Sequence, residues 1–321
     1  MTTFPAGCYG KLPIFGDFLR HNWQGPELQA LDQWFQEGIV LGKQTLGAAW
    51  DAAYDKMPPT RFMYRPAGSP RCLVGVAVPG KDQVGRKYPF CAFLVADAAP
   101  LDRDASMVPT MFSPFLDAAQ DLALKGWIGG DAKQLLAKVD ALKSTDLAVG
   151  AACRAKYEEF LKGEKCADFW PDIFGSFDNV GKYLLIHNLL DAVGMVRNAP
   201  PGKSTIGLKF PLPASLDRGA SGLEASLWLD LAMRLTKRAG VPAFAAWSQR
   251  GSDHDPCLFV FFTPPSPRCF TALVKPAHDS DHIWDLGKGD DTRAQQARDR
   301  YAAALDNREL PLTELMSKVG S

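Results

Sequence analysis

Apolar and polar positions along the first third of the chain predict an antiparallel sheet. Residues 61–65, 72–78 and 88–95 form three runs rich in strand-forming side chains, separated by turns that contain Gly, Pro and Asp. Short runs joined by short turns are typical of a meander of antiparallel strands. At least one face of such a sheet must be covered by another layer.

The preceding segment has the periodicity of helices. Apolar residues recur every three or four positions over residues 28–39, and a second pattern runs over residues 46–54. This spacing predicts two amphipathic helices, broken near Gly42. We expect residues 26–56 to cover one face of the sheet.

The rest of the chain mixes helical and strand patterns. At 321 residues, the chain is long for a single core. We therefore predict an α+β protein, with a first domain at residues 1–165 and a second α+β domain at residues 166–321. The patterns predict helices at residues 110–124, 131–142, 149–161 and 291–305, and strands at residues 205–212, 243–248 and 257–263.

A nine-residue block, GKLPIFGDF at residues 10–18, has an unusual composition. It combines two glycines, a proline and two charged residues with apolar neighbours. Glycines permit backbone angles and close approaches that other residues do not. The block therefore predicts a strand that ends in a loop whose backbone conformation depends on its glycines.

This block and a second one, DQVGRKYPF at residues 82–90, resemble the signature pair of the TagF (ImpM) family, which are accessory proteins of bacterial type VI secretion. The two blocks occur in the family's order. The resemblance covers the first third to half of the chain, so the first predicted domain is TagF-like. It implies a longin-like N-terminal fold, an antiparallel sheet flanked by helices, over residues 7–97.

The resemblance also implies a function. Members of the family are post-translational repressors that hold the secretion apparatus off by contacting a core or regulatory component, in some systems the forkhead-associated protein. The family is linked to a serine/threonine kinase and phosphatase pathway. We therefore expect a non-catalytic protein that acts by binding another protein. A structural part of the machine is an alternative, which would stay in the assembled apparatus.

Charged residues within apolar segments must face solvent or be paired. Two hypotheses therefore apply to Asp17 and Arg86: a salt bridge between them fixes the two blocks together, or both line a surface where the partner docks. The Arg-Lys-Tyr run at residues 86–88 has a composition favoured at interfaces. The predicted partner-binding residues are Lys11, Asp17, Arg86, Lys87 and Tyr88. The residues predicted to shape the backbone are Gly10, Pro13, Gly16, Gly85 and Pro89.

Composition narrows the classes of function. The chain has 36 basic and 36 acidic residues, so its formal net charge is zero. It therefore has no general electrostatic reason to bind nucleic acid or an anionic membrane. The seven cysteines are scattered, the N-terminal residues lack a signal-peptide pattern, and no apolar run approaches about 18 residues. These features predict a reduced, cytoplasmic protein without membrane insertion.

Two short motifs have part of a chemical pattern. The sequence GKST at residues 202–205 matches the end of a phosphate-binding loop, but Arg197 stands where that loop requires its first glycine. His278 and His282 have the i,i+4 spacing of helical zinc ligands, but Pro276 and the polar composition favour a loop. We therefore expect no cofactor and no metal.

A catalytic alternative stays open. The five histidines are not accompanied by a G-x-S-x-G turn, which weakens the case for nucleophilic catalysis without excluding it. Polar and titratable residues cluster around His254, Asp255 and residues 278–282, between predicted strands. The second hypothesis is therefore a hydrolase or small-ligand-binding module that uses a cleft of the C-terminal domain.

Overall fold

Strands from both halves of the chain form one sheet. The computed structural model describes residues 5–142, 150–198, 206–213, 221–248 and 255–320. Within these residues, nine strands follow the spatial order β2-β1-β5-β4-β3-β7-β8-β6-β9. The strands are β1 (Ala6–Gly10), β2 (Leu19–His21), β3 (Thr60–Tyr64), β4 (Arg71–Val78), β5 (Phe90–Asp97), β6 (Gly207–Pro211), β7 (Phe244–Ser248), β8 (Cys257–Phe261) and β9 (Ile283–Asp285).

Most strand pairs are antiparallel, as the short connecting turns predict. The three runs of the first third form β3, β4 and β5, and they pair as a meander. Only β6 and β9 pair in parallel within the described sheet. The chain is therefore an α+β protein, and the predicted fold class is confirmed.

The pairing of β3 with β7 joins the two halves of the chain. Phe62 lies opposite Ala246, and five residues of each strand are in register. Each half of the chain contributes strands to this one sheet. The domain boundary between residues 165 and 166 stays a prediction. The edge strands of this sheet are β2 and β9, with three residues each.

Helices occupy both sides of the sheet. A single-turn 3-10 helix, Gly47–Ala49, separates α1 from α2. The helices are α1 (Pro26–Leu46), α2 (Trp50–Asp55), α3 (Ala98–Asp102), α4 (Val108–Met111), α5 (Ser113–Lys125), α6 (Ala132–Asp140), α7 (Gly150–Gly163), α8 (Cys166–Phe174), α9 (Gly181–Asn198), α10 (Ser221–Thr236), α11 (Phe270–Val274), α12 (Asp291–Leu305) and α13 (Leu312–Gly320).

Alternation along β4 shows how the sheet divides two cores. Val74 and Val76 pack in a core with α5, α9 and α10, whereas Leu73 and Ala77 pack in a second core with α1, α2 and α11. Successive side chains of a strand point to opposite faces, so each face needs its own apolar set. The prediction that residues 26–56 cover one face is confirmed.

The predicted helix break near Gly42 is wrong. Helix α1 continues through Gly42 to Leu46, and the chain turns at Gly47, which has a φ of 52°. Gly42 serves packing instead, because a Cβ there would lie 2.3 Å from the Trp50 ring. A glycine inside a helix is tolerated where another element approaches closely.

Candidate functional site

The two blocks that resemble the TagF signature pair form neighbouring loops. The first signature loop, residues 11–18, follows β1, and the second signature loop, residues 79–89, joins β4 to β5. Since β1 is antiparallel to β5, with Tyr9 opposite Cys91, the end of β1 lies beside the start of β5. Two blocks far apart in sequence therefore leave the sheet at the same end.

Gly10 allows the two loops to approach each other. Its φ is 131°, and a Cβ there would lie 2.0 Å from the carbonyl oxygen of Pro89. Gly85 also has a positive φ, of 85°, but open space surrounds it. At Gly16, the nearest atom to a Cβ would be 3.5 Å away. Packing therefore requires glycine at position 10, and backbone conformation favours it at position 85.

Asp82 holds the two loops together. Its Oδ2 accepts hydrogen bonds from Lys11 Nζ at 2.9 Å and from Arg86 Nε at 2.6 Å. Its Oδ1 accepts from the backbone N–H groups of Val84 at 3.2 Å and of Arg86 at 2.8 Å. Burial raises the pKa of this carboxyl, but the bonds from Lys11 and Arg86 hold the pKa well below its ordinary 3.8. The ionised carboxylate thus pairs with one cation from each loop.

The hypothesis of a salt bridge between Asp17 and Arg86, one of the two alternatives, is wrong. Arg86 pairs with Asp82, and its Nη2 donates to the carbonyl oxygen of Gly16 at 2.8 Å. Asp17 is exposed, and its Oδ1 accepts from the backbone N–H of Phe18 at 2.8 Å. Asp82 belongs to the second block, but its burial depends on contacts with the first, which the sequence does not show.

Lys87 and Tyr88 contact the helical layer. Lys87 Nζ lies 3.1 Å from Asp51 Oδ1 and 2.9 Å from Asp55 Oδ2, both in α2. Tyr88 is buried and donates its hydroxyl to the carboxylate of Asp32 in α1. Burial, and then the bond to Asp32, raise the pKa of Tyr88 well above its ordinary 10.0. These contacts anchor the second signature loop to α1 and α2.

The exposed part of the two loops includes few of the predicted binding residues. With Lys11 also buried, Asp17 and Arg86 are the predicted binding residues that face solvent. The side chain of Arg86 is 58% exposed. Val84, in the same turn, is 75% exposed and was not among the predicted residues. Its signal in the sequence is an apolar residue between Gln83 and Gly85. We refer to Asp17, Val84 and Arg86 as the loop tip.

Residues 7–142 match the family model of the TagF N-terminal domain, which is type VI secretion system-associated. The chain carries a TagF N-terminal domain. This domain contains β1–β5, both signature loops and the loop tip. The family resemblance of the two blocks is therefore confirmed.

Among solved structures, PA0076 from Pseudomonas aeruginosa PAO1, a crystal structure at 2.05 Å resolution, aligns with the chain. The alignment covers 87% of this chain and 98% of that chain, with 15% sequence identity and a TM-score of 0.49. No curated protein matches the chain in sequence. The TagF N-terminal domain ends at residue 142, before the second half of the sheet begins.

The second hypothesis concerned residues outside the TagF N-terminal domain. A cavity of about 700 Å³ includes Asp255 in its lining, and a neighbouring cavity of about 390 Å³ includes His278. His282 is exposed, and His254 lies outside the described residues. The lining residues common to both cavities are Lys209, Asp285 and Lys288.

An ion pair lines both cavities. Lys209 Nζ donates to Asp285 Oδ2 at 2.8 Å and to the carbonyl oxygen of Pro276 at 3.0 Å. Lys288 Nζ donates to Asp279 Oδ1 at 2.6 Å. The cationic groups in the lining are therefore already paired with carboxylates, and the catalytic hypothesis for this cleft stays a prediction.

Of the two short motifs, the structure describes the His278 and His282 pair but not the GKST sequence. His278 and His282 lie in turns, not on one face of a helix, as Pro276 and the polar composition predicted. The GKST sequence at 202–205 lies outside the described residues. Among the residues that the structure describes, no group of three or more His, Cys, Asp or Glu side chains could hold a metal ion. Within the same residues, no helix combines the length and apolarity needed to cross a bilayer.

Proposed function

We propose that this chain is a non-catalytic, cytoplasmic accessory protein that represses type VI secretion after translation by binding another protein. The observation that supports the proposal is the TagF N-terminal domain over residues 7–142. The proposed partner is a component or regulator of the secretion machine, with the forkhead-associated protein as the first candidate.

The loop tip is the proposed binding surface. Asp17, Val84 and Arg86 are exposed, while the loops beneath them are fixed by Asp82 and by contacts with α1 and α2. A surface that is ordered before binding loses less conformational entropy when the partner docks. An exposed apolar side chain beside charged ones is also a favourable composition for an interface.

In the proposed mechanism, this chain binds the inactive state of its partner in preference to the active state. A protein that binds only the inactive state of its partner shifts the population towards that state by the free energy of the differential interaction. Repression then requires no chemical step by this chain. Release of the complex restores the partner to its assembly-competent state.

Capture of the partner tests the binding surface. The full chain, immobilised and incubated with purified forkhead-associated protein, is compared with Val84→Asp and Asp17→Lys variants. We expect each variant to weaken binding about tenfold or more, which corresponds to about 1.4 kcal/mol and lies below the roughly 2 kcal/mol that defines an interface hot spot. Val180→Asp is the matched control, because Val180 is 44% exposed and lies at the start of α9, outside the TagF domain.

Two results would count against this proposal. If all variants bind like the wild type, the loop tip is not the interface. If deletion of the gene in a secretion-competent bacterium leaves secretion and partner phosphorylation unchanged, repression is not the function.

A second candidate function rests on the cavity of about 700 Å³ in the C-terminal half. Its size lies within the range of about 300–1,000 Å³ that small-ligand sites have. A screen of ester, amide and phosphoester substrates with the full chain and an Asp255→Asn variant tests this candidate. Turnover that the substitution abolishes would favour a hydrolase over a binding protein.

A further inference from the structure

A third cavity lies beside the first signature loop, within the TagF N-terminal domain. It has a volume of about 430 Å³. Leu12 and Pro13 of the first signature loop line one part of it. Leu124, in the last turn of α5, and Trp127, two residues after that helix, line another. We refer to this cavity as the anchor pocket. Its position joins it to the loops that carry the proposed binding surface.

The wall of the anchor pocket is suited to an apolar side chain. Trp127 is half-buried, and its Nε1 already donates to the carbonyl oxygen of Ala123 at 3.3 Å. The indole can therefore contact an apolar group without losing a hydrogen bond. The next residue, Ile128, is 61% exposed, so apolar surface continues beyond the pocket. Large apolar side chains that enter such pockets commonly dominate the energy of an interface.

Of two charged residues that line the anchor pocket, one is paired within the described chain and the other is not. Asp55 lines the pocket, but its carboxylate lies 2.9 Å from Lys87 Nζ. Lys81 also lines it and is exposed, and its ammonium has no partner among the described residues. One unpaired positive charge therefore stands at an apolar cavity, which complements a carboxylate next to an apolar side chain.

We propose that the anchor pocket receives an apolar side chain from a protein partner, with a neighbouring carboxylate of the same partner segment pairing with Lys81. This inference rests on the proposed function, since it assigns the chemistry of the partner that the signature loops would bind. The occupant is thus an acidic, apolar segment of a second protein.

A pair of matched probes tests this chemistry on the full chain. The probes are an acetylated phenylalanyl-glutamate dipeptide amide and its phenylalanyl-glutamine counterpart. Binding is followed by the indole N–H resonance of Trp127, which is assigned by its loss in Trp127→Phe. We expect this resonance to shift with both probes, and the glutamate probe to bind about two- to fivefold more tightly, the range of an exposed ion pair.

The affinity difference between the probes should disappear in Lys81→Gln and persist in Lys125→Gln. Lys125 is the matched control because it is exposed and also lies at the end of α5, but does not line the pocket. The inference is overturned if Trp127 does not respond, or if the two probes bind the wild type equally. If forkhead-associated protein binds wild type and Lys81→Glu equally but fails to bind Val84→Asp, the proposed function survives and this inference does not.

Discussion

Lys11 Nζ lies 2.9 Å from Asp82 Oδ2, although 71 positions separate the two residues in the chain. Their side chains are only 7% and 0% exposed. Each residue belongs to a different signature loop, so this buried ion pair, together with the bond from Arg86 to the Gly16 carbonyl oxygen, fixes the relative position of both loops. The shape of the loop tip therefore depends on residues that a partner would not touch.

Substitution of Asp82 by Asn should make the protein less stable and less sensitive to acid. Asp82 has its ordinary pKa of 3.8 in the unfolded chain and a lower one when folded. Its contribution to stability is therefore present above pH 3.8 and is lost as the pH falls from there towards the folded pKa. Thermal unfolding between pH 2 and pH 7 should show a shallower acid dependence for Asp82→Asn. Asp17→Asn is the exposed control, and equal acid slopes for wild type and Asp82→Asn would contradict the prediction.

Three glycines of the signature loops should respond differently to alanine. Gly10→Ala should cost roughly 2–4 kcal/mol, because it combines a positive φ with a clash against Pro89. Gly85→Ala should cost about 1 kcal/mol, since only its backbone conformation is unfavourable. Gly16→Ala should change stability by less than about 0.5 kcal/mol. Urea unfolding of the three variants measures this order, and an equal cost at positions 10 and 16 would contradict it.

Glu224 should make stability fall as the pH rises. It is 7% exposed, and its Oε2 has no hydrogen-bond partner within the part of the chain that the structure describes. Burial, and then the nearby Glu164 and Asp172, raise the pKa of Glu224 from 4.5 to about 8. The folded protein therefore holds a proton between pH 4.5 and about 8 that the unfolded chain has released, so stability decreases across this window.

The variant Glu224→Gln tests this dependence. It should be as stable as wild type near pH 4.5 and more stable by roughly 1–3 kcal/mol above pH 8, since no charge is then buried. Urea unfolding at several pH values measures the difference. Glu37→Gln, at an exposed position of α1, should stay parallel to wild type. A constant difference between wild type and Glu224→Gln at all pH values would refute the assignment.

Loss of either partner of the ion pair between Lys182 and Asp306, of which only Lys182 is buried, should lower stability by a different amount. Lys182 is fully buried, with its Nζ 2.8 Å from Asp306 Oδ1 and 3.8 Å from the centre of the Phe177 ring. Asp306→Asn leaves this ammonium without a counter-charge and should cost roughly 3–5 kcal/mol. Lys182→Met should cost only about 1–2 kcal/mol, because Asp306 is 43% exposed and stays hydrated. Chemical denaturation gives both values, and the reverse order would disprove this account.

The periodicity of the sequence was sufficient for the three-stranded meander of the first predicted domain. The three runs became β3, β4 and β5 because their connections are short and their pairing is local. The pairing of β3 with β7 could not be predicted, because no local pattern specifies which distant strand completes an edge. The extent of α1 was also hidden, since Gly42 accommodates the Trp50 ring and does not end the helix.

The candidate site was predictable in position but not in detail. Two blocks that match one family indicated which loops matter, and antiparallel pairing of β1 with β5 brings them together. Which charges are exposed depends on tertiary contacts that the sequence does not show: Lys11 and Tyr88 are buried, and Lys87 is half-buried against α2. Val84 was missed because a single apolar residue in a polar turn is ambiguous without coordinates.

The sheet ends at each side in a strand of three residues, β2 and β9. Edge strands present unpaired N–H and C=O groups that can recruit strands of other chains, and short edges offer few of them. Arg20, exposed in β2, adds a charge that opposes such stacking. A sheet of nine strands, which could otherwise template fibres, is therefore protected against edge-to-edge aggregation between copies of the folded chain.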